Sequence, residues 1–426
     1  MKEYYKKIDT CKICGSDKLT DVIHVEPQFI SATFVETNEG LEMARVKVPM
    51  TLVLCDVLKN PEGCGHLQMC EEVEPDLLYR QYFYRSSIST TMQDDLKKVI
   101  KDIQGKVDLK PNDIVIDIGA NDCTMISFYP YNLRRTGFEP AENIDWSGVD
   151  KSIKIVNDYF SATPFEKLYP GEKAKALSCC AMFYDLSDPN SFVKQAQTIL
   201  ADDGLWCIQL SYLPLMIDNV NFYDICHEHL SYHSLSSLER LLEQNGLKVF
   251  DATTNPVNGG SLRTFVCHKG FTGFDSEESQ ARLAKLRQRE EEMHLKDVKT
   301  YTDFFEVIMG LSDKVRGYIS EKIANNESVL GLGASTKGNV LLQLFKIDKE
   351  ILPYISERNP DKVGLRTLGS DIELISEEDA RNKKPASMLV LPWYFKDEIV
   401  KREDAYLQGG GTLLIPMPYA HLVTKD

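Results

Sequence analysis

The stretch DIVIDIGANDCT (113–124) constrains the fold more than any other part of the chain. An apolar run stops on Gly119 and small polar residues follow, so a buried strand must turn tightly there. Similar alternation surrounds it. RRTGFEP (134–140), AKALSCCAMF (174–183) and GLWCIQLS (204–211) read as further strands. Residues 191–200 and 235–244 read as helices, the second stopping at Asn245-Gly246. KVFDATTNP (248–256) and GGSLRTFVCHK (259–269) read as two strands around a Gly-Gly turn. Strands alternating with helices predict an α/β sheet.

The alternation restarts in ESVLGLGA (327–334), followed by a helix at 339–345 and strands in ILPYISE, MLVLPW and TLLIPM. We find no sequence repeat, only two α/β units in one chain. Between them, 276–325 is highly charged, with no glycine before Gly310. It reads as one or two long helices linking domains. Its apolar positions hold no heptad, which disfavours a coiled-coil arm. With 426 residues, and roughly 150 per domain, three domains are expected. We place them at 1–75, 76–270 and 271–426, the last including the helical linker.

Hydrophobic residues at 43% and charged residues at 27% exclude wholesale disorder. A net charge of −15 disfavours general nucleic-acid binding. No apolar run approaches the roughly 18 residues of a membrane span, and MKEYYKKIDTCKIC has no signal-peptide core. Eleven cysteines, odd in number and clustered early, make a poor disulfide framework. A cytoplasmic protein with free thiols is expected, acting as a monomer without nucleic-acid or membrane partners.

Cys11-Lys-Ile-Cys14 followed by Gly15 is a knuckle that aims two thiolates at one point. Its partners are Cys55 and Cys64, with Pro61, Gly63 and Gly65 able to turn the chain back. Four thiolates predict a structural Zn²⁺ site; Cys70 and His66 are rival fourth ligands. The alternative is a set of free buried cysteines.

The turn after the first strand is not GxGxxG, so a dinucleotide pyrophosphate fits poorly. Asp117-x-Gly119-x-Asn121-Asp122-x-Thr124 has the form of the S-adenosylmethionine turn of a class I methyltransferase, with Cys123 where a second glycine is usual. Glu139 ends the next strand, where a carboxylate can accept from both ribose hydroxyls. Asp117, Gly119, Asn121, Asp122 and Glu139 are therefore the expected cofactor residues.

Three of the eight histidines, His227, His229 and His233, fall within seven residues. Proton transfer, with Glu228 beside His229, competes with a metal site and with a polar loop of helix caps. Upstream, the segment 79–91 mixes Tyr82, Tyr84 and Arg85 with hydroxyl residues. Its tyrosines suit an oxyanion and its arginine a phosphate; an interdomain packing strand is the bland alternative.

The whole chain resembles the sugar C-methyltransferases of deoxysugar biosynthesis. The likeness rests on Cys11-x-x-Cys14, YRSSISTTM (84–92), DIGAND with GFEPAEN (137–143), MFYDLSDPNSF (182–192) and YDICHEHLSYHSLSSLERLL (223–242). It rests also on NGGSLR (258–263), GLGASTKGN (331–339), SERNPDKVG (356–364) and GGGTLLIPMP (409–418). The resemblance implies a small zinc-binding domain, a Rossmann-like class I methyltransferase domain and a second Rossmann-like domain that binds the sugar nucleotide. It implies S-adenosyl-L-methionine as cofactor and a nucleotide-diphosphate 4-keto-6-deoxysugar as substrate, methylated beside the ketone through an enolate. His229 would be the base, with Glu228 and His227 in the site and Tyr84 and Tyr82 near the sugar. Lys337, Asn359 and Lys362 would meet the diphosphate or base of the nucleotide. The chain departs from its relatives at Cys123, at Cys226 where many have tyrosine, and at 181–183, where some have histidine. A different regiochemistry and a non-catalytic sugar-nucleotide or S-adenosylmethionine binding protein are the alternatives; a dehydrogenase is the weaker rival.

Overall fold

The computed structural model describes residues 4–31 and 33–425. A seven-stranded sheet runs in the order Leu247–Asn255, Ser261–His268, Leu200–Ser211, Ala174–Cys180, Ile114–Ile118, Arg134–Phe138, Lys154–Val156. The last five pair in parallel, and Ser261–His268 is antiparallel to both neighbours. This is the doubly wound class I methyltransferase sheet. Its direction of winding reverses between Ile114–Ile118 and Ala174–Cys180, and ligands of such sheets bind at the carboxyl ends there.

The pleat explains the unbroken apolar runs. Ile114, Ile116 and Ile118 pack with Leu177, Cys179, Trp206 and Ile208 on one face. Val115 packs with Ala176, Leu205, Cys207 and helix Thr90–Lys106 on the other. Both faces are covered, so alternation is lost. The edge strand Lys154–Val156 was not expected; three half-exposed residues are too few to show a period. The third strand stops at Cys180, before the expected 183. Ala181 has φ +55° and Phe183–Asp185 forms a short 3-10 turn.

A second sheet of eight strands has the order His421–Val423, Thr412–Ile415, Ser387–Val390, Val329–Leu332, Tyr354–Glu357, Glu373–Ser376, Arg366–Thr367, Phe34–Val35. A four-stranded sheet joins Ser231–Tyr232, Leu67–Met69, Val48–Cys55 and Leu19–Gln28. Two strands therefore cross between sequence regions: Phe34–Val35 adds to the C-terminal sheet, and Ser231–Tyr232 adds to the N-terminal one. No local pattern announces either, because both are two residues long.

The charged stretch is two helices, Glu277–Glu292 and Val298–Ala324. The first packs on Leu247–Asn255 and on helix Leu235–Gln244. Its Glu290 carboxylate accepts from the Leu235 and Ser236 backbone N–H groups and the Tyr212 hydroxyl, which holds the start of that helix. The second buries Tyr301, Phe304, Ile308, Leu311, Val315 and Ile319. That stripe does keep a three-four spacing, contrary to the expectation, but it packs on strands rather than on a partner helix. Among the described residues no helix is long and apolar enough to cross a membrane.

Candidate active site

The first glycine turn opens where the sheet reverses. Gly119 has φ +73°, and its N–H and that of Ala120 both donate to the Phe138 carbonyl at 2.9 Å. A Cβ on Gly119 would meet Met182 at 3.0 Å, so only glycine brings the turn this near the end of Ala174–Cys180. Glu139 is buried and accepts from the backbone N–H groups of Asn121 (2.7 Å) and Ala141 (2.9 Å). Burial holds its carboxyl above the usual range. Asn121 bonds the Tyr84 carbonyl and the Ser86 N–H, and Asp122 accepts from Ser87 N–H. Asp117 lies deeper, against Ser178 at 3.0 Å, and burial pushes it up to about 8.

Beside this turn lies a cleft of about 500 Å³, lined by Phe83, Arg85, Asp122, Asn143, Asp145 and Asp361 among others. Its lining comes from the central unit, joined by Asp361 of the C-terminal unit. Arg85 donates to the carbonyls of Tyr84 and Asn143, each at 2.8 Å. Its guanidinium braces the segment that carries the tyrosines. Tyr84 is partly exposed beside the first turn, and Tyr82 lies 6.3 Å from Tyr79, ring to ring.

The His-Glu-His segment runs past the carboxyl end of the same sheet. Leu230 N–H donates to the Tyr184 carbonyl, and the His229 ring lies 4.1 Å from the Tyr184 ring. Burial, then the Lys337 ammonium, hold His229 well below the ordinary histidine range. Neutral imidazole is the form with a free lone pair. Glu228 is buried and pushed up to about 7 by desolvation; it accepts from the Thr336 hydroxyl at 3.3 Å. Tyr79 donates to the Glu228 backbone carbonyl at 3.1 Å. His227 faces elsewhere: its Nε2 meets the Val48 carbonyl at 3.2 Å, and burial pushes it down to about 4. His233 lies between His66 and Phe183. The three side chains of 227–229 thus diverge, around a turn closed by the His229 N–H on the Cys226 carbonyl at 3.1 Å and not along the extended segment expected.

The chamber at His229, shared with Tyr184, Asp224 and Ser231, is about 10 Å³, room for about one water. Tyr79, Tyr184, Asp185 and Asp224 gather here, and the sequence reading assigned none of them a role. Tyr79 was visible in the aromatic cluster, and Asp224 three residues before His227. Tyr184 and Asp185 stand in the MFYDL variant, next to the position where relatives differ.

The second unit repeats the first turn. Gly333 has φ +82° and donates to the Ser356 carbonyl at 2.8 Å. Glu357 accepts from Ala334 N–H at 2.9 Å and Asn359 N–H at 2.7 Å, as Glu139 does from Asn121 and Ala141. Helix Thr336–Leu344 begins three residues before the expected 339, because Ser335 accepts from Gly338 N–H and caps it. Lys362 donates to the Ala334 carbonyl and Asn359 to the Phe83 carbonyl. Lys337 is apart from them, paired with Asp224.

The cysteine cluster is separate. Cys11, Cys14, Cys55 and Cys64 have all four sulfurs within 4.8 Å of one another. Bonds of about 2.3 Å in a tetrahedron put sulfurs about 3.8 Å apart, so the set fits one zinc ion. Cys70 instead faces the Ile8 carbonyl, and the His66 ring lies 5.1 Å from the His233 ring, tilted by 34°.

A family model described as a methyltransferase domain matches residues 84–252, and one described as a C-methyltransferase C-terminal domain matches 256–418. The chain is 26% identical over 430 residues to the C-methyltransferase NovU of Streptomyces niveus, covering 100% of this chain and 99% of that one. Together these matches make the chain similar to C-methyltransferases along most of its length. The chain is an S-adenosylmethionine-dependent C-methyltransferase. Similar solved structures include an S-adenosylmethionine-dependent methyltransferase from Clostridium acetobutylicum ATCC 824 (TM-score 0.34, 10% identity, 42% of this chain and 92% of that one). Magnesium protoporphyrin IX methyltransferase from Synechocystis PCC 6803 with bound SAH is another (TM-score 0.33, 11% identity, 44% and 91%).

Proposed function

We propose that the enzyme methylates a nucleotide-diphosphate 4-keto-6-deoxysugar at the carbon beside its ketone, through an enolate, with His229 as the base. The observation that carries this reading is the placement of His229. Its ring is buried, held well below the ordinary histidine range, and lies 4.1 Å from the Tyr184 ring at a 47° tilt, past the end of strand Ala174–Cys180, whose neighbour Ile114–Ile118 leads into the first glycine turn.

S-adenosylmethionine supplies the electrophilic methyl group. Glu139 would hold its ribose, with Gly119, Asn121 and Asp122 shaping the turn and Asp117 supporting it from below. Glu139 suits that role because its carboxylate sits on the turn, and the adjacent cleft has room. His229 takes the α-proton, which typically contributes 10²–10⁴ in rate. Glu228, tied to Thr336, fixes the segment; His227 anchors it to Val48. Tyr82 and Tyr84 line the sugar's approach, and Arg85 orders that wall. Asn359 and Lys362, flanking Glu357, would take the nucleotide. The four cysteines would hold a structural Zn²⁺, and no step of the reaction passes through them.

The test is mass spectrometry on a panel of nucleotide-linked 4-keto-6-deoxyhexoses with labelled S-adenosylmethionine. One labelled methyl on carbon is expected. Binding of the panel without any methyl transfer would contradict the reading.

A further inference from the structure

Lys337 was expected at the nucleotide's diphosphate. Its surroundings suit other work. The ammonium is paired with Asp224, on the segment that bears His229, and lies over the rings of Tyr223 (5.7 Å) and Tyr394 (5.6 Å). Its side chain is 13% exposed, and the Asp224 contact is a buried ion pair. Nζ is buried, and among the described residues the Asp224 carboxylate is the one acceptor it touches, which leaves N–H groups unspent. An ammonium has three N–H donors, so this one is poised for an acceptor that arrives later. Thr336, one residue before it, bonds Glu228. The first turn of helix Thr336–Leu344 therefore reaches both Asp224 and the Glu228 beside His229.

A diphosphate is a poor acceptor in such a place. Asp224 already pairs with the ammonium, so a diphosphate would bring two negative charges to one cation that is spoken for. The open cleft is lined by Arg85 and not by Lys337. A neutral ketone that becomes negative only during reaction brings no such charge beforehand. Lys337 is also the cation that acts on Asp185, Asp224, Glu228 and His229 alike, so it stands within field range of all four.

We propose that Lys337 is a catalytic residue, contributed by the C-terminal unit, that donates to the ketone oxygen of the substrate and stabilises the enolate formed when His229 takes the α-proton. This rests on the functional reading above. In the step, the C–H bond breaks and its proton passes to the imidazole. The electron pair forms the C=C bond, and the carbonyl pair moves onto oxygen. The Lys337 N–H stays on nitrogen and strengthens its bond to that oxygen as charge develops. Asp224 keeps the ammonium charged and in place before the ketone arrives.

The test follows exchange of the α-proton in heavy water without S-adenosylmethionine, alongside full turnover. The probes are 4-keto-6-deoxyhexoses linked to thymidine or guanosine diphosphate. Lys337→Met should lower both exchange and kcat at least ~100-fold, the typical loss for one oxyanion donor, with KM within about threefold. Lys337→Arg, which keeps the charge, should recover at least about tenfold of that loss. Lys337→Met/Asp224→Asn removes the stranded carboxylate and should show the same kcat loss even where the single variant unfolds. Exchange within about threefold of wild type in either Met variant that folds overturns the inference, as does a change confined to KM, the mark of a diphosphate contact. A wild-type enzyme inert toward the whole panel overturns the functional reading itself, and this inference with it.

Discussion

The two glycine turns share a backbone and differ in what they hold out. In each, a positive-φ glycine donates to the residue before an acidic one, and that acidic residue accepts from two backbone N–H groups. After Gly119 come Asn121 and Asp122, tied to the segment of Tyr84, Ser86 and Ser87 at the edge of the open cleft. After Gly333 come Thr336 and Lys337, tied to Glu228 and Asp224 on the segment that bears His229. In the proposed function, one local scaffold serves a ligand-holding wall in one unit and the reacting wall in the other. The lesson is that the turn fixes where side chains emerge, and their chemistry alone sets the task.

The sharpest way to break this contrast is Glu228→Gln. It faces the second turn only, so kcat should fall about 100-fold while the dissociation constant for S-adenosylmethionine stays within about twofold. Calorimetry beside steady-state kinetics would show it; weakened cofactor binding would mean the two walls are not separate. Next come the paired acids. Glu139→Gln should weaken S-adenosylmethionine binding about 10–100-fold, the loss of a charged acceptor, and leave nucleoside diphosphate binding unchanged. Glu357→Gln should do the reverse. If both variants weaken the same ligand, the division of labour fails.

A smaller effect concerns the segment held between the turns. His227 is pushed down to about 4 and His233 to about 3, in both cases by burial. A depressed histidine binds its proton more readily when unfolded. Its stability contribution is thus present above about 6.5 and is lost as pH falls through the folded value. The melting temperature should fall between pH 6.5 and pH 4, and His227→Asn should flatten that slope by on the order of 2–3 kcal/mol. An unchanged slope would contradict the assigned burial. Smallest of all is Cys123→Gly. Cys123 has φ +63°, and the second turn has no counterpart to it. Relief of the left-handed strain against the entropy of glycine leaves under about 1 kcal/mol of stabilisation, read by denaturant unfolding. A loss of more than that would show that packing of the thiol outweighs the backbone.

Much of the central unit was legible because long buried strands and glycine stops are local signals. DIVIDIG and GLWCIQLS become strands within a few residues of expectation. The cysteine knuckle was legible for a related reason: few folds want four thiols except to gather them. The cross-sheet strands were not, since pairing of Phe34–Val35 with Arg366–Thr367 spans the whole chain. The repeat of the acidic tie was hidden because it is geometric. FEP and SER share one glutamate at a strand end and little else. Lys337 illustrates the limit of motif reading. A glycine-rich turn next to a lysine suggests phosphate, whereas packing brings that lysine to Asp224.

The account turns on His229 as the group that removes the proton. Loss of the sugar's α-hydrogen into heavy water can be followed by proton NMR for wild type and for His229→Asn, with no methyl donor present. Wild type should exchange it, and the variant should be slower by at least ~100-fold while still binding the nucleotide sugar. Exchange at the wild-type rate in a folded His229→Asn variant would contradict the claim and require another base.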